Sequence, residues 1–354
     1  MSSARPHTKW PVAVVIGVIG SLVVALVVLA FLWPTKSSAP HHLPVGIAGP
    51  ASAVDAFEAA LAAGGGDDLE LIEVSDRSAA VAQIDARETY GAIVFREAGL
   101  APEVLTAPAA SAAAAQLLGG IAGQLQAQLV TQVTAAGGDP AMATVTVTAV
   151  VPFSDADPTG SGLVAASFPL TMGGMLGGIL VSLLVVGVIR RLAALAGFAV
   201  ATGLVLTLIL QTWFGFLQGS FLLNALAVAL SVLGTSAFIV GCTSLIGRPG
   251  IAIGAVVTML VGNPLGAAAV PWQFVVEPWG AVGQFLVPGA SNTLIRSLSY
   301  FPEADTSAQW GVLAGWAIVG LVLAIAGHFR SRASMRLPEQ TLEHEDATRV
   351  PVAG

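Results

Sequence analysis

Asn292 and Arg296 stand four residues apart, so any helix that holds them puts both on one face. Their surroundings, Leu260 to Phe301, are almost wholly apolar. A cation at membrane depth is a functional expectation by default, and its attraction for an anionic headgroup or carboxylate strengthens as water is excluded. The competing reading is that Arg296 snorkels to the outer headgroups. Asn263-Pro264 is the second polar break in this stretch. Proline lacks the N–H and crowds the preceding turn, so backbone carbonyls are freed there, either as a packed kink or as the lining of a pathway. Asn263, Pro264, Asn292 and Arg296 are therefore the candidate transport-pathway residues. Gln211, Gln218 and Asn224 are also polar near membrane depth, and interfacial caps explain them as simply.

Other chemistry finds little support. His41-His42 is an adjacent pair with no further Cys/His cluster, which does not make a metal site. No HExxH, GxSxG or spaced acidic magnesium motif occurs, and the two lysines, Lys9 and Lys36, close no GxxxxGK[ST] loop. The expectation is a protein that is not an enzyme, with no catalytic, cofactor-binding or metal residues. Any ATP-driven step would need an ATPase subunit on another chain.

These residues need elements to hold them. Hydrophobic residues make up 55 % of the 354 residues and charged residues 10 %, far below the roughly 25 % charged of soluble domains. The fold class expected is an α-helical polytopic membrane protein: six transmembrane helices, with an α/β extracytoplasmic domain inserted between helices 1 and 2. A cytoplasmic tail, 1–9, precedes transmembrane helix 1 at 10–33, an uncharged run with tryptophan at both ends. It exceeds the roughly 7–15 residues of a signal-peptide core, so it reads as a retained anchor. Residues 34–162 form the extracytoplasmic domain with its linkers. Strands are expected at 43–48, 69–74, 91–95, 104–106 and 144–151, with helices at 51–63, 77–87 and 109–136. Residues 163–329 form a five-helix membrane domain with spans at 163–189, 192–213, 221–246, 251–270 and 310–329. A re-entrant segment lies at about 271–301, and a cytoplasmic tail at 330–354. Irregular backbone at membrane depth survives only inside protein or against a water-filled cavity, and broken segments of this kind often form the working site of transporters.

Charge sets the orientation. From Pro34 to Gly162 there are fourteen acidic and four basic residues, while the rest of the chain has seven acidic and ten basic. The acidic insert argues for solubility and against nucleic acid. With the N-terminus inside, the short cytoplasmic pieces hold Arg5, Lys9, Arg190, Arg191, Arg248, Arg330, Arg332, Arg336 and Arg349. Both termini are thus expected in the cytoplasm of a plasma-membrane protein. Cys242 is the single cysteine, so no intrachain disulfide forms and the insert must hold by its own core alone.

Glycines Gly173, Gly174, Gly177 and Gly178 form overlapping GxxxG pairs, as do Gly250/Gly254 and Gly311/Gly315. Such spacing lets helices approach closely, within the monomer or across a homodimer seam.

One span, a large outer insert and five spans with a broken segment before the last resemble the type-2 ABC exporter permease superfamily, in particular its YhgE/Pip-like (DUF3533-like) members. The residues that carry the resemblance are Asp157-Pro158-Thr159-Gly160, Pro169 to Gly174, Gly262-Asn263-Pro264-Leu265-Gly266, Pro288-Gly289-Ala290, Leu294-Ile295-Arg296-Ser297 and Tyr300-Phe301. They cover roughly the C-terminal half. The resemblance implies an export permease or permease-like subunit that moves a hydrophobic or amphipathic molecule among membrane lipid. It also implies a homodimer or pseudo-dimer, with short outer helices at Trp279–Val287 and Ala290–Phe301. Two departures, nine polar residues before span one and very short loops at Arg190-Arg191 and Gly247–Gly250, motivate a second expectation: a non-transporting envelope protein whose outer domain binds a partner or receives a phage.

Overall fold

The computed structural model describes residues 9–64, 66–96 and 101–334, so Arg5, Arg336 and Arg349 lie outside the described residues. The α/β portion carries a five-stranded sheet in the order β2-β1-β3-β4-β5. Its strands are β1 (Leu43–Ala48), β2 (Leu69–Glu73), β3 (Gly91–Val94), β4 (Glu103–Thr106) and β5 (Thr146–Ala149). Only β3 and β4 run antiparallel; the other neighbours are parallel. β1, β3 and β4 are buried on both faces, which explains their continuous apolar runs, whereas the alternating Thr/Val of β5 forms a largely exposed edge. Helix α2 (Ala51–Ala63) and α4 (Ala112–Ala135) cover one face, and α3 (Arg77–Asp85) covers the other. Side-chain caps fix two helix starts: Asp76 accepts from the Ala79 N–H, and Ser111 accepts from the Ala114 N–H.

The expectation that this portion holds by its own core alone is corrected. Phe301, 1 % exposed, packs in one core cluster with Ala80, Ile84, Ala92 and Leu105. Phe274 packs in the other with Leu43, Val45 and Leu118. Both aromatics come from the far side of the helical block in sequence. Phe301 adds apolar cover on the face that the single short helix α3 leaves thin, and Phe274 adds to the face under α2 and α4.

Among the described residues five helices are long and apolar enough to cross a membrane: Trp10–Pro34, Ser161–Leu184, Val188–Trp213, Phe221–Ile246 and Ser307–Arg330. They belong to α1 (Trp10–Lys36), α5 (Ser161–Leu184), α6 (Val188–Thr207, continued by π-helical turns at Leu208–Trp213), α7 (Phe221–Ile246) and α12 (Ser307–Ser334). The chain is thus mostly helical, as expected for a helical membrane protein. α7 is the central post, packed by α5, α6 and α12. Its small residues make this possible: a Cβ on Gly241 would meet the Gly320 carbonyl at 2.5 Å. α1 is exposed along nearly its whole length and meets the block near its C-terminal end, where the Phe31 ring packs edge-on against Phe168.

The remaining apolar helix, Pro249–Leu265, is shorter. It comprises α8 (Pro249–Ala255), π-helical turns at Val256–Val261 and α9 (Gly262–Leu265). At 1.5 Å per residue it reaches about 25 Å, short of the roughly 30 Å hydrocarbon core. The span expected over 251–270 therefore ends at Leu265, and the break falls at Gly266 rather than at Asn263-Pro264. The π-helical turns just before Pro264 give the ring room where a tighter turn would clash. Beyond Gly266 come a 3₁₀ turn at Trp272–Phe274, α10 (Trp279–Gln284) and α11 (Val287–Tyr300).

Candidate functional site

The polar residues of the broken segment meet on α5. Asn263 Nδ2 donates to Thr171 Oγ1 at 3.1 Å. One turn up α5, Ser167 Oγ donates to Asn292 Oδ1 at 2.8 Å, and Asn292 Nδ2 donates to the Gly266 carbonyl at 3.2 Å. Asn292 thus ties the start of the irregular chain to α5 and α11 together. Sequence reasoning missed Ser167 and Thr171. Their i, i+4 spacing on an apolar helix was the available signal, since it places two hydroxyls on one face. Pro264 lies within α9, where its ring leaves no N–H to donate.

Arg296 turns away from this seam toward the α/β portion. Its Nη1 donates to the carbonyls of Ala109 and Ala110 at 3.4 and 3.1 Å, and its Nη2 donates to the Ala268 carbonyl at 2.9 Å. Beside it stands Arg87, which sequence reasoning did not select. Arg87 Nη1 donates to the Thr293 carbonyl at 2.8 Å and to Ser297 Oγ at 2.6 Å, while its guanidinium lies 5.6 Å from the centre of the Phe301 ring. Arg87 follows the C-cap of α3 with φ +60°, where glycine is the least strained residue. The left-handed turn aims the side chain across α11.

Arg87 and Arg296 line one small, partly open cavity of about 20 Å³ with Tyr90, Ala267, Trp272, Gln284, Asn292 and Thr293. Ala267 is also left-handed, at φ +48°. Among the described residues neither arginine has a carboxylate within ion-pairing distance; the ion pairs present join Arg77 and Arg96 to Glu103. Asp157 acts on Arg296 only through space, because its oxygens accept the Ser161 and Gly162 N–H groups at the start of α5. Burial, and then the like charge of Arg87, draw the Arg296 guanidinium down to about 10. Burial likewise draws Arg87 below its usual range. Tyr90 Oη donates to Gln273 Oε1 at 3.1 Å and closes the wall. A larger cleft, about 520 Å³, shares Arg87 and Trp272 with this cavity and is lined further by His41, His42, Glu70, Glu88 and Glu277. Among the described residues no three His, Cys, Asp or Glu side chains are grouped to hold a metal.

No protein-family model, curated protein or solved structure matches this chain.

The other residues singled out by sequence fall elsewhere. Asn224 is fully buried, and its Nδ2 donates to Gln211 Oε1 and to the Gln218 carbonyl, so these three form one cluster where α6 meets α7. Gly174 meets Thr235, Gly177 meets the Phe198 ring and Gly178 meets Ile239 and the Ser236 backbone, all within the chain. Gly173, Gly311 and Gly315 face open space. Arg191 donates from Nε to the Val185 carbonyl and from Nη2 to the Ser182 carbonyl, so this loop cation closes the C-terminal end of α5.

Proposed function

We propose that this chain is a six-span plasma-membrane protein, its sixth crossing made by the short helix Pro249–Leu265 together with the broken segment after it, with both termini cytoplasmic and the α/β domain outside, and that it acts as an export permease or permease-like subunit for a hydrophobic or amphipathic molecule. On this reading it is similar to the type-2 ABC exporters, a separate ATPase chain supplies any ATP hydrolysis, and two copies pair. The observation that carries the reading is the segment from Gly266 to Tyr300. It is broken into short helical pieces, tied by Asn292 to Ser167 of α5 just beyond the Asn263–Thr171 contact, and wedged between the ends of the long helices and the α/β domain. Backbone of this kind is tolerated at membrane depth where it lines a protein-enclosed path. The helix ends also support it: Val185, Arg191 and Ser244 gather at the end of the block away from the sheet.

Capture of the tagged chain from membranes, with mass spectrometry of what accompanies it, should recover an ATPase. Cells lacking the chain should retain an amphipathic molecule that Asn292→Leu fails to release and the wild type restores. No captured ATPase together with an unchanged inventory of lipids and amphiphiles in cells and medium would sink the reading. Orientation is tested separately. Protease added to intact spheroplasts should cut within the acidic insert, and cleavage confined to the two tails would mean the opposite topology.

A further inference from the structure

The geometry points to a binding site for a phosphate-type oxyanion, a phosphate monoester or diester, held between Arg87 and Arg296 where the α/β portion meets the helical block. This site does not depend on the export reading; it is a property of the junction whether or not anything is moved.

The first observation is charge. Two guanidinium groups from distant parts of the chain line one cavity, and no carboxylate among the described residues pairs with either. The same α/β portion treats its other arginines differently: Arg77 and Arg96 both close on Glu103. Taking like charges out of water without a counter-ion is unfavourable, and a bound anion removes that penalty. The hydrogen bonds from the pair to backbone carbonyls orient the guanidiniums, but carbonyls carry no net charge.

The second observation is the donor inventory. A guanidinium has five N–H donors in a fixed fork. Arg296 uses Nη1 and Nη2 on carbonyls, and Arg87 uses Nη1. Arg87 Nε and Nη2, and Arg296 Nε, have no protein partner among the described residues. Gln284 and Thr293 stand on the same wall, with the Thr293 hydroxyl donating to Gln284 Oε1. Donors converging from several elements suit a tetrahedral oxyanion with oxygens on all sides, and forked guanidiniums suit phosphate in particular.

The third observation is access and strain. The cavity itself is tight, and it shares Arg87 and Trp272 with the larger cleft, which leaves room there for the outer phosphate oxygens and for whatever the phosphate is attached to. Two of its wall residues, Arg87 and Ala267, hold left-handed backbone, and retained strain of this sort concentrates at ligand clamps. Trp272 and Trp279 are half-exposed nearby, as tryptophans are at the headgroup level of a bilayer. A phospholipid headgroup and a free phosphate share the chemistry that the site reads.

The test uses the full chain in a neutral maltoside detergent, with thermal unfolding followed by tryptophan fluorescence in chloride buffer at fixed ionic strength. One series adds inorganic phosphate. A second adds phosphatidylglycerol to the micelles, with neutral diacylglycerol as its control. The wild type should show a saturable rise in unfolding midpoint in at least one series. Arg87→Gln should raise the half-saturating concentration roughly tenfold or more, the effect of losing one charged hydrogen-bonding group. Arg248→Gln, at an exposed loop arginine, should leave it unchanged. A rise with phosphate alone assigns free phosphate, and a rise with phosphatidylglycerol alone assigns a lipid headgroup. No saturable rise in either series overturns the site, as does an undiminished response in Arg87→Gln. Should that variant not fold, Arg87→Lys is read in its place: an ammonium replaces the guanidinium fork, and half-saturation equal to the wild type overturns the site. No export assay enters, so this result and the permease reading fail separately.

Discussion

Glu103 accepts two hydrogen bonds from Arg77, one from Arg96 and one from Thr148, which makes it the most heavily partnered carboxylate among the described residues of the α/β portion. The Arg77 hydrogen bonds, above all, hold its carboxyl down to about 2. Because the folded value lies below the unfolded one, the stabilisation is complete above about pH 4.5 and is lost as pH falls toward 2. Glu103→Gln should therefore flatten the fall in unfolding midpoint over that acid range, measured by tryptophan fluorescence at pH 6, 4 and 3. A variant that loses stability on acidification as steeply as the wild type would place the acid sensitivity elsewhere. At this scale the sequence was half legible. Asn292 and Arg296 stood out because helical spacing is local and their neighbours are apolar. Arg87 did not, because it reads as an ordinary surface arginine just past a helix, and its partner Ser297 lies 210 residues away. The acceptors of Arg296 were invisible for a related reason: backbone carbonyls leave no mark on side-chain identity.

Helices α5 and α7 touch through glycine, and the overlapping GxxxG pairs separate into working and idle positions. A Cβ on Gly178 would come within 2.9 Å of Ile239 Cβ and 3.0 Å of the Ser236 backbone, whereas Gly173 meets nothing within 4 Å. Gly178→Leu should push α5 off α7 at a cost of at least about 1–3 kcal/mol, the range for overpacking, and sharply reduce the folded yield on size-exclusion chromatography. Gly173→Leu should stay within about 0.5 kcal/mol of the wild type. Equal loss in both variants would mean that Gly173 is covered by a second copy. Element types were largely readable: every expected strand forms, because alternating or continuous β-branched runs leave little choice. The fifth expected span was read too long. Hydropathy continues smoothly from Leu265 through Ala267–Val270, and composition alone does not register that the helix stops at Gly266.

The α/β portion and the helical block are one folding unit. Phe274 and Phe301 fill opposite core clusters of the sheet, and Arg296 and Arg87 lace the same junction. Phe301→Ala should cost about 3–5 kcal/mol, the range for emptying a buried aromatic site. An excised fragment covering 37–156 should expose apolar surface and bind a dye such as ANS, unlike the full chain. A fragment with a sharp, cooperative thermal transition and no dye binding would overturn the shared-core account. The insert looked self-contained because its strands and helices are contiguous in sequence. What completes it is two aromatics embedded in a segment whose apolar character membrane depth alone would explain.

That arrangement dictates an order of assembly during synthesis. The last strand, β5, ends at Ala149, yet the core it borders receives Phe301 only after about 150 further residues have been made, roughly 8–30 s at ribosomal rates. Throughout that interval the sheet waits without its last aromatic while α5, α6, α7 and the shorter helix Pro249–Leu265 are made. Insertion of the final loop then acts as a checkpoint. A chain whose late segments fail to pack leaves the sheet unsealed, a ready target for quality-control proteases, so defects in the helical block are reported in the α/β portion.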